Sequence, residues 1–176
     1  MPNWCKNLIK VPSESLKDVL TKEQEVSFGI IAPMPKELED TTSPSKTPNE
    51  ELIKKYGADN WYDWRWSHWG CKWDASDTII PEETDLIEFT TPWGPPIEWL
   101  QTLSRKYQGK KFRIQFADEF MGQAPLGEIT IVNGNVTQEK VAKKSQADAE
   151  LAADEIWCGI WTDKLVNFNK EKKDEN

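Results

Sequence analysis

The stretch DLIEFTTPWGPPIEWLQTLSRKYQGKKFRIQFA, residues 85–117, changes its hydrophobic period twice. Asp85 to Thr91 alternates, with Leu86 on one face and Ile87 and Phe89 on the other, which is the period of a strand. Pro95-Pro96 suits the first turn of a helix, where a missing N–H costs nothing. Ile97, Leu100, Leu103 and Tyr107 then recur at helical spacing and mark an inner face, and Gly109 ends the run. From Lys111 to Ala117 period two returns, with Phe112, Ile114 and Phe116 inward and Lys111, Arg113 and Gln115 outward. This is a strand–helix–strand unit.

A similar unit is expected upstream. Trp4 to Val11 reads as a first strand ended by Pro12, and Ser13 caps a short helix, Glu14 to Thr21, with Leu16, Val19 and Leu20 as its apolar stripe. Ser27 to Ala32 reads as a second strand with Phe28, Ile30 and Ala32 on one face, stopped by Pro33-Met34-Pro35. Asp40 to Asn49 is a Thr/Ser/Pro loop, and Glu50 to Tyr56 a short helix closed by Gly57. The order β-α-β, insertion, β-α-β predicts an α+β, ferredoxin-like split βαβ fold: one antiparallel sheet with two helices on one face. Ile129 to Val136 adds a hairpin through Asn133-Gly134. Ser145 to about Phe168 reads as a helix with Ala153, Trp157, Ile160, Trp161 and Leu165 on one side. The expected organisation is a domain over 1–142 with a Trp-rich insertion at about 36–78 between strands 2 and 3. A C-terminal helix over 143–169 packs on it, and a charged tail covers 170–176.

Composition narrows the function classes. The 176 residues hold 22 Lys plus Arg against 30 Asp plus Glu, a formal charge of -8. An acidic chain repels phosphate backbones, so nucleic-acid binding is disfavoured. Cys5, Cys71 and Cys158 are far apart and form no CxxC pair, which suggests reduced, apolar fillers. Met1-Pro2-Asn3-Trp4-Cys5-Lys6 is no signal peptide, and no run reaches the roughly 18 apolar residues of a membrane span. The expectation is a bacterial cytoplasmic protein with no membrane partner.

Several separated strings carry a family resemblance. They are Met1-Pro2-Asn3-Trp4-Cys5-Lys6-Asn7; Phe28 through Ile31-Ala32-Pro33-Met34-Pro35-Lys36-Glu37-Leu38; Tyr56-Gly57-Ala58-Asp59-Asn60-Trp61-Tyr62-Asp63-Trp64; Trp69-Gly70-Cys71-Lys72-Trp73-Asp74-Ala75; and Thr91-Pro92-Trp93-Gly94-Pro95-Pro96 with Trp99-Leu100. In this order, over roughly residues 1–122, they resemble the phage- and plasmid-borne YubB-type ferredoxin-like domain family. The resemblance implies a ferredoxin-like core and a mobile-element origin, and it carries no catalytic residue onto this chain. The family commonly has a small hydroxyl residue where Cys71 stands, which argues against Cys71 as an obligatory nucleophile or ligand. The acidic, glycine-containing stretch after the fourth strand appears here as Asp118-Glu119-Phe120-Met121-Gly122.

The compositional outlier is tryptophan, ten in all. Trp61, Trp64, Trp66, Trp69 and Trp73 crowd one segment around His68 and Lys72. Each indole buries 150–250 Å², so several of them can make a small core between insertion and sheet. Alternatively they line an exposed patch that stacks on a planar ligand or anchors a protein, since Trp is favoured at interface hot spots. The candidate binding residues are Trp61, Trp64, Trp66, His68, Trp69, Lys72, Trp73, Trp93 and Glu119.

Catalytic and metal chemistry find little support. His68 is the sole histidine, and with Cys71 it makes two of the four ligands a structural zinc needs. No GxSxG elbow frames a serine, and no Walker-type or GxGxxG loop exists. Asp118 and Glu119, adjacent at a strand end, point to opposite faces rather than across a glycosidic bond. Neither a catalytic residue nor a cofactor nor a metal is therefore expected. Lys72 is expected to pair with Asp118 or Glu119 and to pin the insertion over the fourth strand. The leading expectation is a non-enzymatic accessory protein that binds a host or viral protein. The alternative is a small-ligand or nucleotide binder with the Trp-rich segment as aromatic clamp, and an unrecognised hydrolase stands third.

Overall fold

The computed structural model describes residues 3–81, 86–119 and 126–141. Among them lie six strands: β1 (Trp4–Lys10), β2 (Ser76–Ile79), β3 (Leu86–Pro92), β4 (Lys111–Asp118), β5 (Leu126–Val132) and β6 (Asn135–Val141). The helices are α1 (Lys36–Glu39), α2 (Glu50–Tyr56), α3 (Trp61–Trp69) and α4 (Ile97–Lys106), with 3₁₀ turns at Ser13–Asp18 and Phe28–Ile30. The strands form one antiparallel sheet in the order β2-β3-β1-β4-β5-β6. Its first four strands have the ferredoxin-like pattern: β3 and β4 run parallel through α4 with β1 between them.

The unit that opened the sequence reading forms as its periods require. Ile87 and Phe89 on β3 and Phe112, Ile114 and Phe116 on β4 are buried beneath α4. Trp99, Leu100, Leu103 and Ser104 of α4 are also buried, so this inner face includes Trp99. The hairpin forms as well, with Asn133 (φ 54) and Gly134 (φ 77) both left-handed, as a type I′ turn demands. Its tip docks on α4: Gly134 N donates to Ser104 Oγ at 3.1 Å, and Gln101 Nε2 donates to Gly134 O at 3.0 Å.

Two elements of the expected order are corrected. Ser27–Ala32 is not a strand; Phe28–Ile30 is a 3₁₀ turn. Asp74 is the cause. Its Oδ1 accepts from Phe28 N at 2.7 Å and its Oδ2 from Ser27 Oγ at 2.8 Å, so the segment bonds a carboxylate instead of a ladder. The second strand is Ser76–Ile79, after the Trp-rich segment. That segment therefore lies in the crossover from β1 to β2, not in an insertion between strands 2 and 3. The helix expected over Glu14–Thr21 is likewise a 3₁₀ turn, Ser13–Asp18, without a side-chain cap, and Leu16 is 36% exposed while Val19 is buried. The expected C-terminal helix and tail lie outside the described residues.

Where β5 passes β4, the packing leaves no room for a side chain at Gly127. A Cβ built on Gly127 stands 2.4 Å from the Phe116 ring, which is itself 4% exposed. Gly127→Ala should lower unfolding free energy by about 1–3 kcal/mol, read by urea denaturation. Gly94→Ala, with nothing within 4 Å of its Cβ, should lower it less.

Candidate functional site

Helix α3 sorts the aromatic residues by i,i+4 steps. Asn60 caps its start by accepting from Asp63 N at 2.9 Å, and Gly70 (φ 81) ends it. Trp64 and His68 stack at 4.1 Å and 9°. Tyr62 and Trp66 meet edge to face at 6.2 Å. Arg65 lies between Trp61 and Trp69, its guanidinium 5.2 and 4.9 Å from their ring centroids. Burial lowers the Arg65 pKa from its ordinary value, so the indole faces stand in for part of the lost hydration.

The tryptophans thus divide. Trp64 and Trp69 are buried in the main core. Trp69 lies 5.8 Å from Phe28 and donates its Nε1–H to Ala32 O at 2.9 Å. Phe28 in turn contacts Trp99 at 4.7 Å and Phe89 at 6.0 Å. This core lies on the helical face of the sheet, so these two indoles do not cover its other face. That other face pairs its charges: Lys6 with Glu88 at 2.8 Å and Arg113 with Glu128 at 2.6 Å, with Gln115 donating to Glu128 at 2.7 Å.

The remaining indoles make a surface ridge. Trp73 is 37% and Trp93 41% exposed. Trp93 lies nearly parallel to Trp66, 6.3 Å between centroids, and Trp4 leans on Trp73 at 6.3 Å. Lys72 sits at the centre, its Nζ 4.5, 5.1 and 6.0 Å from the ring centroids of Trp73, Trp93 and Trp61. The expected pairing of Lys72 with Asp118 or Glu119 is therefore corrected. Lys72 is held by three π faces, and Glu119 instead clasps the start of β1, its Oε2 accepting from Trp4 N at 3.0 Å.

Trp93 is placed by the sheet beneath it. Its φ is +68, a region that bulky side chains rarely occupy and that costs of order 1–3 kcal/mol. Two ties hold it there. Trp93 N donates to Asn3 O at 2.8 Å, and Thr91 Oγ1 donates to Gly94 O at 2.7 Å. Asn7, fully buried, donates through Nδ2 to Thr91 Oγ1 at 2.7 Å and to Cys5 O at 3.1 Å. Sequence reasoning missed Asn7; a polar residue at an inward position of a strand was the available signal.

His68 and Cys71 take separate partners. His68 Nδ1 donates to Trp64 O at 2.9 Å, while Cys71 Sγ donates to Trp73 O at 3.3 Å. Burial, with the Asp74 and Glu98 carboxylates adding to it, pushes the Cys71 thiol far up, and burial pushes up Cys5. Both are poor nucleophiles in this setting. Among the described residues, no group of three or more His, Cys, Asp or Glu is placed to hold a metal, and no helix is long and apolar enough to cross a membrane.

Residues 68–157, just over half the chain, match the family model of the ferredoxin-like domain in Api92-like proteins. The chain belongs to that family. The match starts inside α3, so it takes in Trp69, Lys72, Trp73, Trp93 and Glu119 and leaves Trp61, Trp64 and Trp66 outside. The crystal structure of the protein api92 from Yersinia pseudotuberculosis is similar at 18% identity and a TM-score of 0.41, over 49% of this chain and 31% of that one. This chain thus aligns with about a third of that protein's length. No curated protein matches it.

The division of the indoles has a direct consequence. Trp69→Ala should cost about 3–5 kcal/mol in urea unfolding, the range for a buried aromatic. Trp73→Ala should cost within about 1 kcal/mol, since it removes one exposed cation–π wall.

Proposed function

We propose that this chain is an accessory protein of a bacteriophage or related mobile element that acts without catalysis in the cytoplasm of a bacterial host. It binds a host or viral protein through the ridge formed by Trp4, Trp73, Trp93 and Trp66. The observation that carries the docking part is Trp93, a large indole kept in left-handed backbone and 41% exposed. A folded chain gains nothing in its own core from such an arrangement, whereas a rigid, pre-positioned indole is an efficient interface anchor. The net charge of -8 favours a partner with a basic face, steered in at low salt. The mobile-element setting is supported by the resemblance of residues 1–122 to YubB-type domains.

Trp93→Gly is the informative variant, because glycine relieves the positive φ while removing the anchor. Its melting temperature should hold or rise. A photo-crosslinking amino acid at position 93, introduced in a bacterial host, should trap one discrete protein of basic charge. The same probe at the exposed Lys22 should trap none. Equal trapping at both positions, or none at either, would contradict the reading.

A further inference from the structure

Beside the ridge, on the far side of Lys72, an open cavity of about 410 Å³ is lined by Ser43, Pro44, Trp61, Tyr62, Asp63 and Lys72. Its chemistry differs from that of the ridge. Trp61 and Tyr62 meet at 88°, so two aromatic walls stand at right angles. An ammonium and a carboxylate share the same hollow without pairing: the ion pairs among the described residues include neither Lys72 nor Asp63. The Lys72 ammonium has π faces as partners, and Asp63 Oδ2 accepts one bond, from Asn60 Nδ2 at 2.7 Å. The Asn60 bond holds the Asp63 side chain against the start of α3, and the Trp61, Trp73 and Trp93 rings hold Lys72.

A ligand that completes this hollow needs a flat π system, an edge with adjacent N–H donors and an anionic tail. We propose that the cavity binds a guanine nucleotide. The purine enters the right angle between the Trp61 and Tyr62 rings, where base–aromatic contact holds any nucleobase. The guanine N1–H and N2–H₂ donate side by side to the Asp63 carboxylate. The phosphate meets the Lys72 ammonium. Adenine presents a bare N1 lone pair at the same edge, which a carboxylate repels, so the arrangement discriminates between the purines. The chain's negative charge weakens phosphate attraction at this one lysine, so affinity belongs in the micromolar to sub-millimolar range. The proposal shares Lys72 with the ridge and is told apart from protein docking by Asp63, which the ridge does not use.

The test is calorimetric titration of the full chain with GMP, AMP, CMP and guanosine, with melting temperatures recorded for every variant. GMP should bind saturably, at least about tenfold more tightly than AMP or CMP. Asp63→Asn should remove most of the GMP-over-AMP preference. Lys72→Met should weaken GMP about five- to tenfold and leave guanosine unchanged, because only the phosphate is lost as a contact. Trp61→Phe keeps an aromatic wall and should retain weak binding if Trp61→Ala fails to fold. Folded wild-type protein giving no saturable heat up to millimolar GMP would overturn the proposal. So would equal binding of GMP and AMP that Asp63→Asn leaves unaltered.

Discussion

The Phe28 ring is the contact on which the rest of the architecture depends. It is fully buried, and it touches Trp69 from the first crossover, Trp99 from α4 and Phe89 from the sheet. The crossover, α4 and the sheet therefore meet on one side chain. Asp74 sets the position of that ring by accepting from the Phe28 amide and the Ser27 hydroxyl. Asp74 itself stands two residues before β2, so the same carboxylate that makes the turn also ties it to the approach of the edge strand. Aromatic pairs at these separations add about 0.5–1.5 kcal/mol each beyond their burial.

With that core filled by Trp64, Trp69 and Trp99, the other aromatic residues of the crossover have no interior left to occupy. They gather around two cations instead. Arg65 is enclosed between Trp61 and Trp69, and Lys72 is ringed by Trp61, Trp73 and Trp93. Cation–π contacts of this kind contribute about 0.5–1 kcal/mol each where exposed. That is enough to fix the direction of the rings but not to bury them. The surface so made is rigid and amphipathic, and the Asn7–Thr91–Gly94 chain of hydrogen bonds extends its rigidity from the sheet centre to Trp93.

The β3–α4–β4 unit and the β5–β6 hairpin were legible because their periods and turn residues agree with the fold at every level. Two alternating runs frame a 3.6-period run, and Asn133-Gly134 supplies the paired left-handed turn. The second strand was not legible. Phe28, Ile30 and Ala32 alternate convincingly, yet they sit in a 3₁₀ turn whose hydrogen bonds go to Asp74, 46 residues away. The strand that takes their place, Ser76–Ile79, is four residues long, mostly polar and irregular in register against β3. The site was half legible. The segment stood out by composition, and i,i+4 spacing would have paired Trp64 with His68 and Arg65 with both Trp61 and Trp69. Which indoles end inside was beyond it, because α3 is aromatic around much of its circumference. The carboxylate expected for Lys72 failed for a similar reason: three π faces did the work of one counter-charge.

The claim that two crossover indoles complete the core while their neighbours form a surface is tested most directly by fluorine NMR. The protein would be labelled with 5-fluorotryptophan, assigned by single substitutions, and titrated with a soluble paramagnetic agent. The signals of Trp64, Trp69 and Trp99 should keep their linewidths while those of Trp73 and Trp93 broaden. Broadening of Trp64 and Trp69 along with the ridge would contradict the account, because the crossover would then not be packed against Phe28.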